Sequence, residues 1–142
     1  MSTYGFLALD TARYMTPNPK TVTPKTTIRE LEALFASHSF NGCPVVEDGR
    51  LVGFVTKLDF LKAFGFSTAR MVPHYDELMA TEVGRVMSTE IHTVEPDTPL
   101  TRVLQSMLER RARSFPVLDD AGRLVGIIAR EDLMRALKDA AG

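Results

Sequence analysis

The sequence predicts a mixed α/β (α+β) protein made of two copies of one β-α-β-β-α unit, packed about a pseudo-twofold axis. Three observations predict it. The pentapeptide Gly-Arg-Leu-Val-Gly occurs twice, at Gly49–Gly53 and at Gly122–Gly126. Sliding the chain by 72 residues sets Met15, Thr21, Val22, Pro24 and Thr26 on Met87, Thr93, Val94, Pro96 and Thr98. After one inserted residue in the second turn the offset becomes 73, and Asp59 and Ala63 then meet Asp132 and Ala136. Self-similarity at a fixed period marks a chain built from repeated supersecondary units.

The repeats run from 15 to 64 and from 87 to 137. They leave an N-terminal segment, 1–14, a connector, 65–86, and a C-terminal tail, 138–142. Each copy begins with a short extended stretch, "TVTP" or "TVEP", whose closing proline pushes the preceding residue toward extended geometry. A helix follows, because Ile28, Leu31, Leu34 and Phe35 recur at helical spacing, as do Leu100, Val103, Leu104, Met107 and Leu108. Thr27 with Glu30 fits a capping box, and Thr98 before Pro99 places a cap ahead of a first-turn proline.

Two β-branched runs come next in each copy. "CPVV" and "LVGFVT" are joined by Asp48-Gly49, a tight-hairpin dipeptide, and "FPVL" and "LVGIIA" by a longer Asp-Ala-Gly turn. The closing helices are "KLDFLKAF" and "REDLMRALKDA". One such unit is too small to bury its own apolar face, so pairing two completes the core. The connector has mixed composition, with Pro73 and a helix-like "YDELMATEV".

Length and composition are those of a folding globular chain: 142 residues, 44% hydrophobic and 25% charged. Lys and Arg total 17 against 18 Asp and Glu, which argues against nucleic acid or an anionic membrane as partner. The N-terminal "MSTYGFLALD" lacks a basic n-region and no apolar run reaches the eighteen or so residues of a spanning helix. The expectation is a soluble, cytoplasmic protein with no membrane contact. Cys43, the single cysteine, sits in an apolar run and reads as packing.

Catalytic signatures are absent. His38, His74 and His92 are scattered, without metal-ligand spacing, and there is no nucleophile elbow or Walker-type loop. The expectation is no enzyme activity, no metal and no catalytic cofactor. What remains is the end of each hairpin, "GFVTKLD" and "GIIARED". Thr56 with Asp59, taken alone, reads first as a helix cap rather than as a ligand site. In the second copy Ala129 removes the capping hydroxyl while Asp132 stays, which favours a ligand role beside the dipole reading. Arg110, Arg111 and Arg113 fit either placement at a helix C-terminus or contact with phosphate.

The pair "PVVEDGRLVGFVTKLD" and "PVLDDAGRLVGIIARED", each preceded by a "TV.P" strand and a helix, resembles tandem cystathionine-β-synthase (CBS) domains, the two-repeat Bateman module. The resemblance covers nearly everything from Met15 to Leu137. It implies a regulatory sensor with two clefts between the repeats, binding an adenosine ligand such as AMP, ADP, ATP, S-adenosylmethionine or a dinucleotide. In similar modules the Asp holds the ribose hydroxyls, the Thr or Ser helps hold phosphate, and the partner repeat encloses the base. Carried onto this chain, one site uses Thr56 and Asp59, with His92 and Thr93 near the base and Arg113 near phosphate. The other uses Asp132, with Lys20 and Thr21 near the base and Phe40 and Asn41 nearby. Arg130 supplies that site with a cation, as Lys57 does for the first.

A dimerisation or protein-interaction module with vestigial sites is the alternative. A homodimer is expected, because faces such as "DFLKAF" and "DLMRAL" carry more apolar surface than one small core covers. The signal is expected to pass to a separate effector protein that the sequence does not identify. The two sites are expected to be unequal, since Thr56 offers a phosphate-end hydroxyl and Ala129 offers none.

Overall fold

The computed structural model describes residues 4–65 and 75–142. Pro73 and His74 lie outside the described residues, as do residues 1–3 of the N-terminal segment and 66–72 of the connector. The elements in order are α1 (Tyr4–Leu7), α2 (Thr11–Tyr14), β1 (Thr16–Pro17), α3 (Ile28–Ser37), β2 (Gly42–Glu47), β3 (Arg50–Thr56), α4 (Lys57–Lys62), α5 (Tyr75–Met79), a 3-10 turn (Val83–Arg85), α6 (Leu100–Arg110), β4 (Ser114–Leu118), β5 (Leu124–Ala129) and α7 (Arg130–Ala140). The chain is a mixed α/β protein whose residues gather into two compact units. The first unit is Lys20–Ile91, and the second joins the residues up to Pro19 with His92–Gly142.

Each unit is organised by an antiparallel hairpin. In the first, β2 pairs with β3 from Gly42↔Thr56 to Glu47↔Arg50, with a register shift after Val45. Asp48 and Gly49 turn with φ of 52° and 78°, the two positive values that a type I′ turn requires. In the second, β4 pairs with β5 from Ser114↔Ala129 to Leu118↔Leu124. Its longer turn is held by Asp119, whose Oδ1 accepts the N–H groups of Ala121 and Arg123, both at 2.9 Å.

The "TV.P" stretches are single parallel bridges rather than strands. Val22 lies against Val45 and Val94 against Val117. Val22 donates to the Pro44 carbonyl at 3.1 Å and accepts from Val46 at 2.8 Å, and Val94 repeats the pattern with Pro116 and Leu118. The proline two residues on ends each pairing, since it has no N–H to give.

A longer-range exchange joins the repeats. Thr16 and Pro17 pair with Ile127 and Gly126, adding β1 to the edge of the second hairpin. Ser88 pairs with Phe54 of the first hairpin, exchanging two hydrogen bonds of 2.9 Å. The Met-Thr-Pro or Met-Ser-Thr start of each sequence repeat therefore belongs to the unit of the other repeat's hairpin.

The equivalence also extends into residues read above as terminal segment and connector. In the second unit Leu9 accepts from Leu100, while Thr11 donates to Thr98 and Ala12 to Pro96. In the first unit Thr81 accepts from Ile28, while Val83 donates to Thr26 and Gly84 to Pro24. Every partner is displaced by the same 72 residues. These arms close the cores: Phe6 and Tyr14 join Leu100, Val103, Phe115 and Ile128, and Met79 and Val83 join Ile28, Leu31, Val45 and Val55.

The helix caps are unequal. Thr27 and Glu30 form a reciprocal box at 3.2 and 3.0 Å, and the Thr27 N–H and hydroxyl, both donating to the Glu30 carboxylate, lower its pKa. Thr98 is not the cap of α6. Pro99 occupies that position, and the Thr98 hydroxyl instead accepts the Glu95 N–H at 2.9 Å, as Thr26 accepts that of Thr23. On α6, Met107 is buried, whereas Leu108 is 71% exposed.

Candidate functional site

In the first unit, β3 runs into α4 at Thr56, whose extended backbone makes it the N-cap. Its hydroxyl accepts the Asp59 N–H at 3.1 Å, and Asp59 Oδ2 accepts the Thr56 N–H at 2.9 Å. Asp59 is 8% exposed, and its Oδ1 lies 3.6 Å from the Lys62 ammonium. The Asn41 carbonyl accepts the Lys57 N–H at 3.0 Å, which brings Phe40 and Asn41 to the same hairpin end. Lys20 joins them through its carbonyl, which accepts the Cys43 thiol at 3.2 Å. Thr21 follows it, exposed, just before the Val22 bridge.

The Cys43 thiol is buried, and burial pushes its pKa up to about 12. It packs and donates; it is no nucleophile. Lys57 leans over the Phe35 ring, 5.8 Å from its centroid, in the same corner.

The second unit repeats the arrangement with different side chains. Asp132 is again 8% exposed, and its Oδ2 accepts the Ala129 N–H at 2.8 Å. Only that half of the cap survives, because Ala129 has no hydroxyl to return. Oδ1 lies 3.2 Å from Arg135. The Arg130 N–H bonds the Arg113 carbonyl at 3.0 Å, bringing Arg113 to this hairpin end. His92 arrives on the chain before the Val94 bridge and sets its ring edge to face on Phe115, with centroids 4.9 Å apart. Burial chiefly, and the Arg110 charge secondarily, lower the His92 pKa. Thr93 sits beside it, half-buried.

Arg130 has a task that its sequence position does not reveal. Its guanidinium donates to the carbonyls of Ala112 at 2.8 Å and Arg111 at 3.1 Å. Arg111 is left-handed there, with φ 54°, and ends α6. Arg130 thus satisfies carbonyls that the helix end leaves open. Arg110, Arg111 and Arg113 are exposed.

Within a unit, then, the predicted residues gather at one hairpin end: Lys20, Thr21, Phe40, Asn41, Thr56 and Asp59 in the first, and His92, Thr93, Arg113, Arg130 and Asp132 in the second. The residues that sequence reasoning missed are Lys62 and Arg135, one helical turn beyond each carboxylate. The 73-residue offset that aligns Asp59 with Asp132 aligns these two cations as well. Among the described residues no three His, Cys, Asp or Glu side chains cluster to hold a metal, and no helix is long and apolar enough to cross a membrane.

This duplicated carboxylate at the end of a duplicated hairpin defines a tandem-repeat module, and comparison with known proteins gives its family. The CBS-domain family model matches residues 12–65 and 83–139, so the chain belongs to the CBS-domain family as a tandem pair. It is 34% identical over 119 residues to the CBS domain-containing protein YhcV of Bacillus subtilis, covering 84% of this chain and 79% of that protein. Other relatives are longer. The chain spans 45% of the uncharacterized protein MJ1225 of Methanocaldococcus jannaschii, at 26% identity and covering 86% of this chain. It spans 21% of the inosine-5'-monophosphate dehydrogenase of Thermoplasma acidophilum, at 28% identity and covering 83% of this chain.

Among solved structures, CBSX2 in complex with AMP superposes with a TM-score of 0.81 at 27% identity, covering 95% of this chain and all of that one. The CBS pair of protein MJ0100, in complex with 5'-methylthioadenosine and S-adenosyl-L-methionine, gives 0.77 at 26%, covering 92% and 97%.

Proposed function

We propose that this protein is a regulatory module, without catalysis of its own, that binds an adenosine-containing ligand through Asp59 and Asp132. One observation carries the reading. Both carboxylates are buried, and both are kept although the second has lost its capping hydroxyl. A carboxylate offers about four lone-pair sites. The backbone N–H and the neighbouring cation use one on each oxygen, leaving one on each for the two hydroxyls of a cis-diol. Charge-assisted bonds of that kind contribute on the order of 1.5 to 3 kcal/mol each.

The AMP in CBSX2 and the two adenosine ligands in MJ0100 support the same ligand class here. In this reading Lys20, Thr21, Phe40, Asn41 and Thr56 in the first unit, and His92, Thr93 and Arg113 in the second, are further ligand contacts at the two hairpin ends. The module passes its state to an effector protein. Calorimetry with AMP, ATP and S-adenosylmethionine tests this on wild type, Asp59→Asn, Asp132→Asn and the double variant. Loss of binding in the double variant is expected, and unchanged affinity there overturns the ribose assignment.

Exposed apolar side chains favour a homodimer alongside ligand binding. Leu58 and Leu61 on α4 and Met134 on α7 are each more than 60% exposed. A second copy of the chain is the partner proposed for these faces. Light scattering tests it, and a monomer at tens of micromolar rejects it.

A further inference from the structure

Asp132 is held by more than its own helix. Arg135 Nη1 lies 3.2 Å from Asp132 Oδ1, and its Nη2 donates to the Tyr14 carbonyl at 3.1 Å. The same guanidinium stands over the Tyr14 ring, 5.4 Å from its centroid. One turn further along α7, Asp139 accepts the Tyr14 hydroxyl at 2.8 Å. Tyr14 ends α2 and is buried in the core of the second unit. The next two residues are committed to the same face: Met15 packs on Gly126 and Thr16 pairs with Ile127. A single arginine therefore joins the candidate ligand carboxylate to the N-terminal arm, residues 4–17.

The first unit has no counterpart. Position 62 is lysine where 135 is arginine, and the residue matching Tyr14 is Val86. Lys62 is a point charge 3.6 Å from Asp59, with no second fork to reach a carbonyl.

We propose that Arg135 is a positioning residue that couples ligand occupancy at Asp132 to docking of the N-terminal arm. The proposal rests on Asp132 being a ligand carboxylate, as read above. Arg135 uses one lone-pair site of Oδ1, so a vicinal diol binds without displacing it. What it provides is a fixed carboxylate plane, and its own place is fixed by the Tyr14 carbonyl and ring. When the arm undocks, those two contacts are lost and the acceptors are no longer preset. Linkage makes the effect reciprocal: by whatever factor the docked arm raises affinity, a ligand at Asp132 favours the docked arm.

Hydrogen–deuterium exchange on the full chain, with and without AMP, tests the coupling. Wild type and Arg135→Lys are compared, each also carrying Asp59→Asn so that AMP is read at Asp132. Lysine reproduces what the first unit has at this place. The amides to watch are Thr11 and Ala12, bonded to Thr98 and Pro96, with α3 amides as reference. Without nucleotide, Arg135→Lys is expected to speed arm exchange several-fold and leave α3 unchanged. With AMP, arm exchange slows several-fold in the Arg135 protein and not in Arg135→Lys, whose AMP affinity falls several-fold. Arm exchange indifferent to Arg135→Lys overturns the proposal, and so does AMP binding that depends on Asp132 yet leaves the arm unchanged. AMP affinity indifferent to Asp132→Asn overturns the ligand reading and the coupling with it, while the nucleotide-free comparison separately reports whether Arg135 clamps the arm.

Discussion

The sulfur of Met15 lies 2.6 Å from the point where a Cβ on Gly126 would stand, and the Thr16 carbonyl oxygen lies 3.0 Å from the same point. Met87 and Ser88 take the same places over Gly53, the Ser88 oxygen at 3.1 Å. This explains the second glycine of the repeated pentapeptide, as the positive φ of Gly49 and Gly122 explains the first. Gly53→Ala and Gly126→Ala are each expected to destabilise by about 1–3 kcal/mol through overpacking. Shortening the methionine, as in Met15→Ala with Gly126→Ala, recovers only part of that, because the backbone oxygen stays. Urea unfolding checks it, and an unchanged midpoint for either glycine variant rejects the account.

The half-empty cap at α7 invites repair. Ala129 has φ −118° and ψ 167°, the extended geometry of an N-cap, and Asp132 already accepts its N–H. Ala129→Thr is expected to stabilise by about 1 kcal/mol, and Thr56→Ala to destabilise by a similar amount. In the ligand reading the same pair shifts AMP preference: Ala129→Thr tightens the Asp132 site several-fold, and Thr56→Ala weakens the other. Calorimetry on both variants decides it, and tighter wild-type AMP binding at Asp132 than at Asp59 counts against it.

Stability is expected to fall as pH drops below the ordinary histidine pKa of about 6.5. Burial holds the folded His92 pKa below that value, with Arg110 adding to the effect. Between the two pKa values the unfolded chain carries a proton that the folded chain refuses, so stability rises with pH across that window. Urea midpoints measured across it should have a shallower slope in His92→Gln. Equal slopes would show that another group is responsible.

Cys43 is expected to resist thiol reagents in the native protein. Its side chain is fully buried, and a thiol with a pKa near 12 presents almost no thiolate at pH 8. Reaction with a disulfide reagent should begin only as the chain unfolds. Rapid labelling of folded protein would contradict the packing.

Arg130→Ala is expected to cost about 1 kcal/mol, since two carbonyls at the end of α6 lose their donors. Lysine should not restore it, having no fork to span Ala112 and Arg111. Thermal melting of both variants checks this, and full rescue by Arg130→Lys would rule out the bidentate role.

By itself the sequence determined whatever depends on neighbours in the chain. Asp48-Gly49 specified its hairpin because two positive φ values are a local demand, and Thr27 with Glu30 specified its capping box because the two groups are three residues apart. "REDLMRALKDA" gave the bounds of α7, and the 73-residue offset picked out Asp59 and Asp132 before any contact was known. Tertiary structure alone decided which hairpin each repeat start would join. Thr16 and Ser88 find strand partners that no periodicity points to, because an edge strand accepts any extended segment that reaches it. It also decided that residues 4–14 and 76–86 are the same element. Ala8, Arg13 and Met15 do match Ala80, Arg85 and Met87, but the likeness there is carried by backbone hydrogen bonds, which constrain side chains weakly. The pairing of Arg135 with both Asp132 and Tyr14 was invisible for the same reason: 121 residues separate the arginine from the tyrosine, and only the folded chain brings them to one guanidinium.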